Sequence, residues 1–445
     1  MLSTEHAYLW ADAGTGKTVT ALEAFRKGGY DRGVILCPKS ALSMWADEAT
    51  KHLGCRAYVL YRGTVAKKHS AIILHADTKL LITTFDLARV HDTLINAFAN
   101  GRPSIKKSSW RAEYTQDLQT VLILDEAHML KNKDTKRTKS ILGDYANVIS
   151  GIMYHFTDTW QLTGTPIMRH ADDLWTQLVV GRYDILKHYG VHRLEKWVNT
   201  FCMTKMVRYN DYGPMRKVTT GSRNLALLST ILDKCGVIKR NLNDVVADLP
   251  PITHSTINTD YTGVPNVPNI DISSLIRELA DKDGVMAKVR SALGKAKVSS
   301  VVEYAVEFGN TPLLIGFWHR DVCKTMLEQL KVASPNWVIE VVDGSTSGKE
   351  RDRIKEEFNA GRVDCLLGQM QAMNTSWNLQ GSCSHVLIAE ELPSPGMLHQ
   401  FYSRVYRKGQ KNHVHVDHMI SRHSLDQAIR KIRLDKADVN EELAL

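Results

Sequence analysis

Residues 122–132 read "LILDEAHMLKN", and the apolar run Val121–Leu124 ends there on two adjacent carboxylates, Asp125 and Glu126. A short apolar run of this kind predicts a buried strand. Two acids at its end carry a desolvation cost that a bound metal ion offsets. The segment "ADAGTGKT" (11–18) supplies a reason for such an ion. It follows the strand-like "HAYLWA", opens the helix-like "TVTALEAFRKG", and matches Gly-x-x-x-x-Gly-Lys-Ser/Thr except that Ala11 takes the first glycine's place. Gly14 and Gly16 let the backbone from Ala13 through Thr15 curl so that its N–H groups point at a phosphate. The helix start beyond adds a positive field. Lys17 is suited to reach the β- and γ-phosphates, and Thr18 to ligate Mg²⁺. Asp125 is then suited to hold the same Mg²⁺, and Glu126 to orient or deprotonate the attacking water.

Outward from these two segments the pattern repeats. "RGVILCP", "KLLITTF", "TVLILDE" and "TWQLTGTP" predict buried strands between helical stretches. Such alternation predicts an α/β fold with a parallel sheet covered on both faces. Residues 175–250 are basic, read as helical and show no β-like run. A proline-rich connector follows. The alternation resumes in "TPLLIGFW", "WVIEVVDG", "VDCLLGQ", "SHVLIAEE" and "HVHVDHMI", which predicts a second sheet. The expected division is residues 1–190 for a first lobe, 191–296 for a helical insertion and connector, and 297–445 for a second lobe. The acidic "DKADVNEELAL" reads as a solvated helix end or tail.

Composition narrows the class. The 445 residues are 43% hydrophobic and 24% charged, which excludes a disordered chain. No apolar run reaches the ~20 residues of a membrane span. The seven cysteines are scattered without a C-x-x-C pair, so neither a disulfide framework nor a zinc site is expected, and the expected compartment is a reducing cytosol. A net charge of +9 fits a polyanion-binding surface without requiring one.

These residues resemble superfamily 2 helicases, with "DEAH" (125–128) as the second motif and "LTGTP" (162–166) as the third. Further stretches resemble the Swi/Snf-like branch: "ILCPKSALSMWADE", "DEAHMLKNKDTKRTK", "LTGTPIMRHADDLWTQL", "IKRNLNDVVADLPP", "VDGSTSGKERDRIKEEFNAG" and "QFYSRVYRKGQ" (400–410). The resemblance implies two tandem RecA-like lobes, ATP and Mg²⁺ as cofactors, and Gln400, Arg404 and Arg407 as the second lobe's part of the site. A guanidinium bridges two oxygens of a phosphoryl-transfer transition state, and on a helix residues 404 and 407 share a face. The resemblance also implies sequence-independent contact with duplex or branched DNA. Its contacts would come from Lys39, Ser40, Thr83, Thr84, Lys131 and Lys133 in lobe one and Thr375 and Ser376 in lobe two. Trp45 and Trp318 are candidates for base stacking, but the more economical expectation is that they are buried.

Two departures stand out. None of the ten residues before Ala11 is a glutamine, the branch's adenine reader; the expectation is weak adenine recognition, or a truncated chain or another start, and ATP over GTP rests on the resemblance. Where the branch carries a glycine-rich motif V, this chain reads "NTSWNL" (374–379), with Trp377 intruding. The expected protein is a monomeric, cytoplasmic DNA translocase, compact enough for a bacterium or a phage-infected cell, that remodels branched DNA or displaces bound proteins. A strand-separating DNA or RNA helicase and a nucleic-acid-binding module with a lapsed ATPase are the alternatives.

Overall fold

The computed structural model describes residues 1–2, 5–55, 57–61, 78–100, 118–143, 151–167, 170–208, 214–261, 263–264, 285–308, 311–373 and 377–443. The first lobe is built on β1 (His6–Ala11), β2 (Arg32–Cys37), β3 (Ala57–Val59), β4 (Leu80–Thr84), β5 (Thr120–Asp125) and β6 (Asp158–Thr163). All pair in parallel in one sheet of seven, in the order β3-β4-β2-β5-β6-β1-β9, β9 being Val237–Arg240. Alternate residues of the central strands feed different cores. Ile35, Ile82 and Ile123 join one cluster, whereas Leu36, Leu81 and Leu122 join the other. A sheet buried on both faces needs such unbroken apolar runs, and each fully buried Leu or Ile contributes about 1.5–3 kcal/mol.

Three strands lie where the sequence reads as helical. β7 (Cys202–Arg208) and β8 (Met215–Ser222) form a separate antiparallel ribbon, and β9 completes the first sheet. β10 (Ile252–Thr259) lies in the expected connector and pairs along its length with β15 (Val414–Ser421). Segment 191–296 therefore contributes a strand to each sheet. The second sheet has six parallel strands in the order β10-β15-β14-β11-β13-β12, with β11 at Leu313–Phe317, β12 at Ile339–Val342, β13 at Cys365–Gln369 and β14 at His385–Ile388.

The C-terminal helix Ser424–Glu442 is not simply solvated, as its acidic sequence suggests. Leu425, Ile429 and Ile432 cluster with Leu293 of the connector, while Leu443 just beyond the helix joins the buried cluster that holds Trp10 of lobe one and Leu228 of the insertion. Lys239 Nζ donates to the Leu443 carbonyl at 2.8 Å. At the near end of the helix, buried Lys297 donates to Asp426 Oδ2 at 2.8 Å and to the Met419 carbonyl at 3.0 Å. Lys297→Ala should leave buried Asp426 without its counter-charge, held only by Ser421 N and Oγ, each 2.9 Å from Oδ2. The expected loss, about 3–5 kcal/mol, is read as an earlier denaturant-unfolding transition. All seven cysteines are free, and all but Cys55 are buried. No helix among the described residues is long and apolar enough to cross a membrane.

Candidate active site between the two sheets

β1 ends at Ala11 and the helix Lys17–Lys27 starts directly after the loop, with Gly16 as N-cap at φ 85°. Gly14 also has positive φ, 86°. Within this curl Lys17 Nζ donates to the carbonyls of Ala11 at 2.6 Å and Asp12 at 3.0 Å, and Thr15 Oγ1 donates to Asp12 O at 2.8 Å. Ala13 and Thr18 lie in the same strand–loop–helix turn. The third-motif segment approaches closely: a Cβ on Gly164 would sit 3.2 Å from Lys17 Nζ and 3.2 Å from Ala11 O. Only a residue without a side chain keeps that space open beside the lysine.

β5 delivers Asp125 to the same edge, where Trp45 Nε1 donates to its Oδ2 at 2.8 Å. Trp45 is thus a buried orienter of the carboxylate and not a stacking surface. Glu126 takes the left-handed conformation at φ 56°, which costs a non-glycine residue about 1–3 kcal/mol. Strain of this kind at an acidic strand end is a mark of a working site. Burial and the Glu126 charge push the Asp125 carboxyl up, against the opposing Trp45 hydrogen bond and Lys17. Burial alone would raise Glu126 as well, but the adjoining His128 ring, Lys17 and Arg404 outweigh it and hold it low. Glu126 Oε2 is buried without a hydrogen-bond partner, its neighbour His128 Nδ1 lying 3.2 Å away.

The second lobe meets this edge. A Cβ on Gly14 would lie 3.3 Å from Arg407 Cβ. Gln400 is buried and donates through Nε2 to Thr165 Oγ1 of the third motif at 2.9 Å. Arg404 is buried; its Nε donates to the Gln400 carbonyl at 2.7 Å, and burial together with Arg407 lowers its pKa to about 10. Arg407 Nη1 donates to the Trp377 carbonyl at 2.9 Å. One expectation is corrected here. The helix Pro395–Tyr402 stops short of both arginines, which sit in the turns that follow. It is the turn, held by bonds such as Val405 N to Tyr402 O at 2.9 Å and Gln410 N to Arg407 O at 3.0 Å, that turns both toward lobe one.

Three further residues take part that the sequence did not name as site residues. His128 Nδ1 lies 3.0 Å from Thr163 Oγ1 and 3.5 Å from Thr165 Oγ1, so it connects Glu126 to the residue that Gln400 grips. Asp12 Oδ2 accepts from Leu242 N at 2.9 Å, which ties the phosphate loop to the chain just beyond β9. Trp377 is a core residue of lobe two whose carbonyl anchors Arg407. The position of His128 within "DEAH" was the available signal; the other two depend on contacts remote in sequence.

The donor set fits a nucleoside triphosphate with a divalent ion. Lys17 lies near Glu126 and Asp125, Arg404 near Glu126, and Arg407 beside Arg404, so three cations meet two carboxylates; burial pushes Lys17 down and Asp125 up. The surplus is positive, as a polyphosphate requires. Among the described residues no group of three or more His, Cys, Asp or Glu is arranged to hold a metal. Mg²⁺ is usually held by one or two protein groups and the substrate's phosphates. Thr18 and Asp125 are the residues that would hold it. Gln400→Leu should remove the cross-lobe bond and leave the Thr165 hydroxyl only His128 Nδ1, 3.5 Å away. A drop of about tenfold in nucleic-acid-stimulated turnover is expected from the loss of one such buried bond, read by steady-state phosphate release.

The expected nucleic-acid residues divide. Lys39 is exposed, its ammonium 5.3 Å from the Tyr61 ring centroid, and Ser40 is half-buried beside it. Lys39, Tyr61, Thr84 and Met129 help line a cleft of about 410 Å³ at the ends of β2 and β4. Thr84 caps the helix Phe85–Val90, accepting from Leu87 N at 3.3 Å. Thr83 is a correction: it is fully buried, its hydroxyl donates to the Leu60 carbonyl, and it does not reach a track. Lys131 lies 3.8 Å from buried Asp173, and Lys133 pairs with Asp134 at 2.7 Å. Trp318 is partly buried against the lobe-two core. Thr375 and Ser376 lie outside the described residues.

The profile of the SNF2-related domain matches residues 4–264. The chain belongs to the SNF2-related family. The helicase conserved C-terminal domain matches 297–409, so the SNF2-related lobe is followed by the helicase half that carries Arg404 and Arg407. A Xenopus laevis relative, SWI/SNF-related matrix-associated actin-dependent regulator of chromatin subfamily A-like protein 1, is 24% identical over 72% of this chain and 32% of its own length. Its Caenorhabditis elegans homolog is 24% identical over 98% of this chain and 59% of its own. The mouse DNA annealing helicase and endonuclease ZRANB3 is 24% identical over 72% and 29%. This SNF2-related chain thus spans about a third of the length of the first of these relatives. A solved Sulfolobus solfataricus SWI2/SNF2 ATPase core in complex with dsDNA aligns over 96% of the chain and 85% of its own, at 18% identity and a TM-score of 0.40.

Proposed function

We propose that this SNF2-related protein is an ATP-driven translocase on duplex DNA that remodels branched DNA or displaces bound proteins. The observation that carries the reading is the meeting of Arg407 with Gly14 and of Gln400 with Thr165 across the two sheets. A nucleotide held at this seam touches both lobes, so binding draws them together and hydrolysis releases them. Within it the backbone of Ala13–Gly16 and Lys17 bind the phosphates. Thr18 and Asp125 hold Mg²⁺, which when bound neutralises charge on the phosphate oxygens. Glu126 positions and deprotonates the attacking water. Arg404 and Arg407 stabilise charge that develops on the transferred group, and Gln400 reports closure to the third motif.

The lobes are taken as residues 1–190 and 297–445, with 191–296 as an insertion that lends a strand to each. Lys39, Ser40, Thr84, Lys131 and Lys133 sit at or just past the carboxyl ends of β2, β4 and β5, on the edge where open α/β sheets bind ligands. Lysines, hydroxyls and loop N–H groups there suit phosphate contacts blind to sequence. A relative whose name describes a DNA annealing helicase favours DNA as the track. The chain is proposed to work as a monomer, because both halves of the site lie in one polypeptide.

The test sets triplex displacement beside strand unwinding, with ATPase rates on linear duplex, forked and single-stranded DNA and RNA at stated salt. Displacement without unwinding is the expected result. Unwinding of forks would favour the helicase reading, and the absence of nucleic-acid-stimulated turnover would reject both.

A further inference from the structure

β7 and β8 form a ribbon that joins neither large sheet. A lone two-stranded hairpin is marginal in water, and eight residues of strand reach about 25 Å. At its root Cys202 and Ser222 are buried. Beyond it, Met203, Met206 and Met215 are 50%, 54% and 51% exposed, and no other helix or strand among the described residues carries more than one large exposed apolar residue. The register is unusual. Four successive rungs each pair an apolar residue with a basic one: Lys205–Val218, Met206–Lys217, Val207–Arg216 and Arg208–Met215. Neither strand contains an acidic residue. Lys205, Arg216 and Lys217 are exposed, and Lys217 donates to the neutral Asn199 amide oxygen at 2.5 Å, which leaves its charge uncancelled there.

The root fixes where this arm stands. Ala171 N donates to Ser222 Oγ at 3.1 Å, and Thr219 Oγ1 donates to Asp172 Oδ2 at 3.3 Å. The helix Asp172–Val179 also carries Asp173, 3.8 Å from Lys131 Nζ, and Thr176, whose hydroxyl donates to Lys131 O at 2.9 Å. The ribbon therefore grows from the element that holds the Lys131–Lys133 loop.

We propose that the ribbon is a second nucleic-acid contact, an arm laid along the duplex beside the Lys131 loop; this rests on the translocase reading above. Its cations meet phosphates on both sides of a groove. Its methionines, soft and unbranched, pack on sugar and base edges, as apolar side chains do where base steps are opened. Alternating cation and thioether suits a surface that itself alternates phosphate with apolar sugar and base. An acidic protein surface would match the lysines but would leave the methionines against charge.

The experiment compares the full chain with Lys205→Glu/Lys217→Glu, Lys205→Arg/Lys217→Arg and Met206→Ser/Met215→Ser. It measures the duplex and fork concentration giving half-maximal ATPase, and binding by anisotropy from 50 to 200 mM salt. Charge reversal should raise half-saturation about tenfold and flatten the log–log salt slope by about 2, one for each phosphate that is no longer neutralised. The arginine pair should restore both. The serine pair should raise half-saturation about threefold at unchanged salt slope, with the larger effect on forks. Matching thermal transitions in all variants exclude misfolding. Unchanged half-saturation and slope in both the glutamate and serine pairs would overturn the proposal and leave the ribbon to a protein partner. An effect of charge alone would overturn the methionine half of it. If the unaltered chain shows no response to DNA, the failure belongs to the translocase reading, since the ribbon comparison needs that response as its baseline.

Discussion

Glu126→Gln should still bind ATP and DNA but release phosphate at least about a hundredfold more slowly, the lower end of what a positioned general base contributes. The change is nearly isosteric and exchanges a carboxylate oxygen for an amide. Glu126 Oε2 is a buried acceptor with His128 Nδ1 3.2 Å away, and an amide there cannot take the proton that the attacking water must give up. The left-handed backbone at residue 126 is as strained for Gln as for Glu, so stability should hardly change. Lys17→Ala is the companion, because it should lose nucleotide affinity itself. Single-turnover phosphate release at saturating ATP, beside nucleotide binding at equilibrium, separates the two. Turnover within twofold of the parent for Glu126→Gln would remove that residue from the role of base.

Arg404→Ala and Arg407→Ala should each lower DNA-stimulated turnover by about a thousandfold, the scale of a guanidinium that stabilises phosphoryl transfer. Lysine should rescue neither, because a point ammonium cannot span two oxygens. The two differ in one respect. Arg404 is buried and its Nε is engaged by Gln400, so its loss should also shift thermal stability. Arg407 is anchored through the Trp377 carbonyl, and its Cβ faces Gly14. Its removal should leave stability near the parent and act on turnover alone. Full turnover in either alanine variant would show that lobe two closes on the nucleotide without it.

The buried strands were legible because their burial is local information. A strand covered on both faces must be apolar at every position, and "TVLILDE" or "TPLLIGFW" declares that without reference to anything distant. The strands that escaped were those lacking this signal. β9, "VIKR", sits at a sheet edge, half-buried; β10, "ITHSTINT", alternates on an edge and carries polar residues; the ribbon is basic. Thr83 and Thr84 show the same limit on a single pair of residues. Adjacent strand residues point to opposite faces, and the chain alone does not tell which hydroxyl is turned inward.

What the sequence by itself determined is the set of chemical parts: a glycine-relaxed loop with Lys17 and Thr18, acids at a strand end, and two arginines in a later half. Loop curvature, strand burial and residue chemistry are all encoded within a few neighbours. The tertiary structure alone decided that these parts converge. It brought Arg407 against Gly14, turned Arg404 inward from a turn where a helix had been expected, set Trp45 on Asp125, and rooted a basic ribbon on the helix that holds Lys131. Such contacts join residues tens to hundreds of positions apart, and their geometry follows from how whole sheets and helices fill space together, which no local stretch of chain contains.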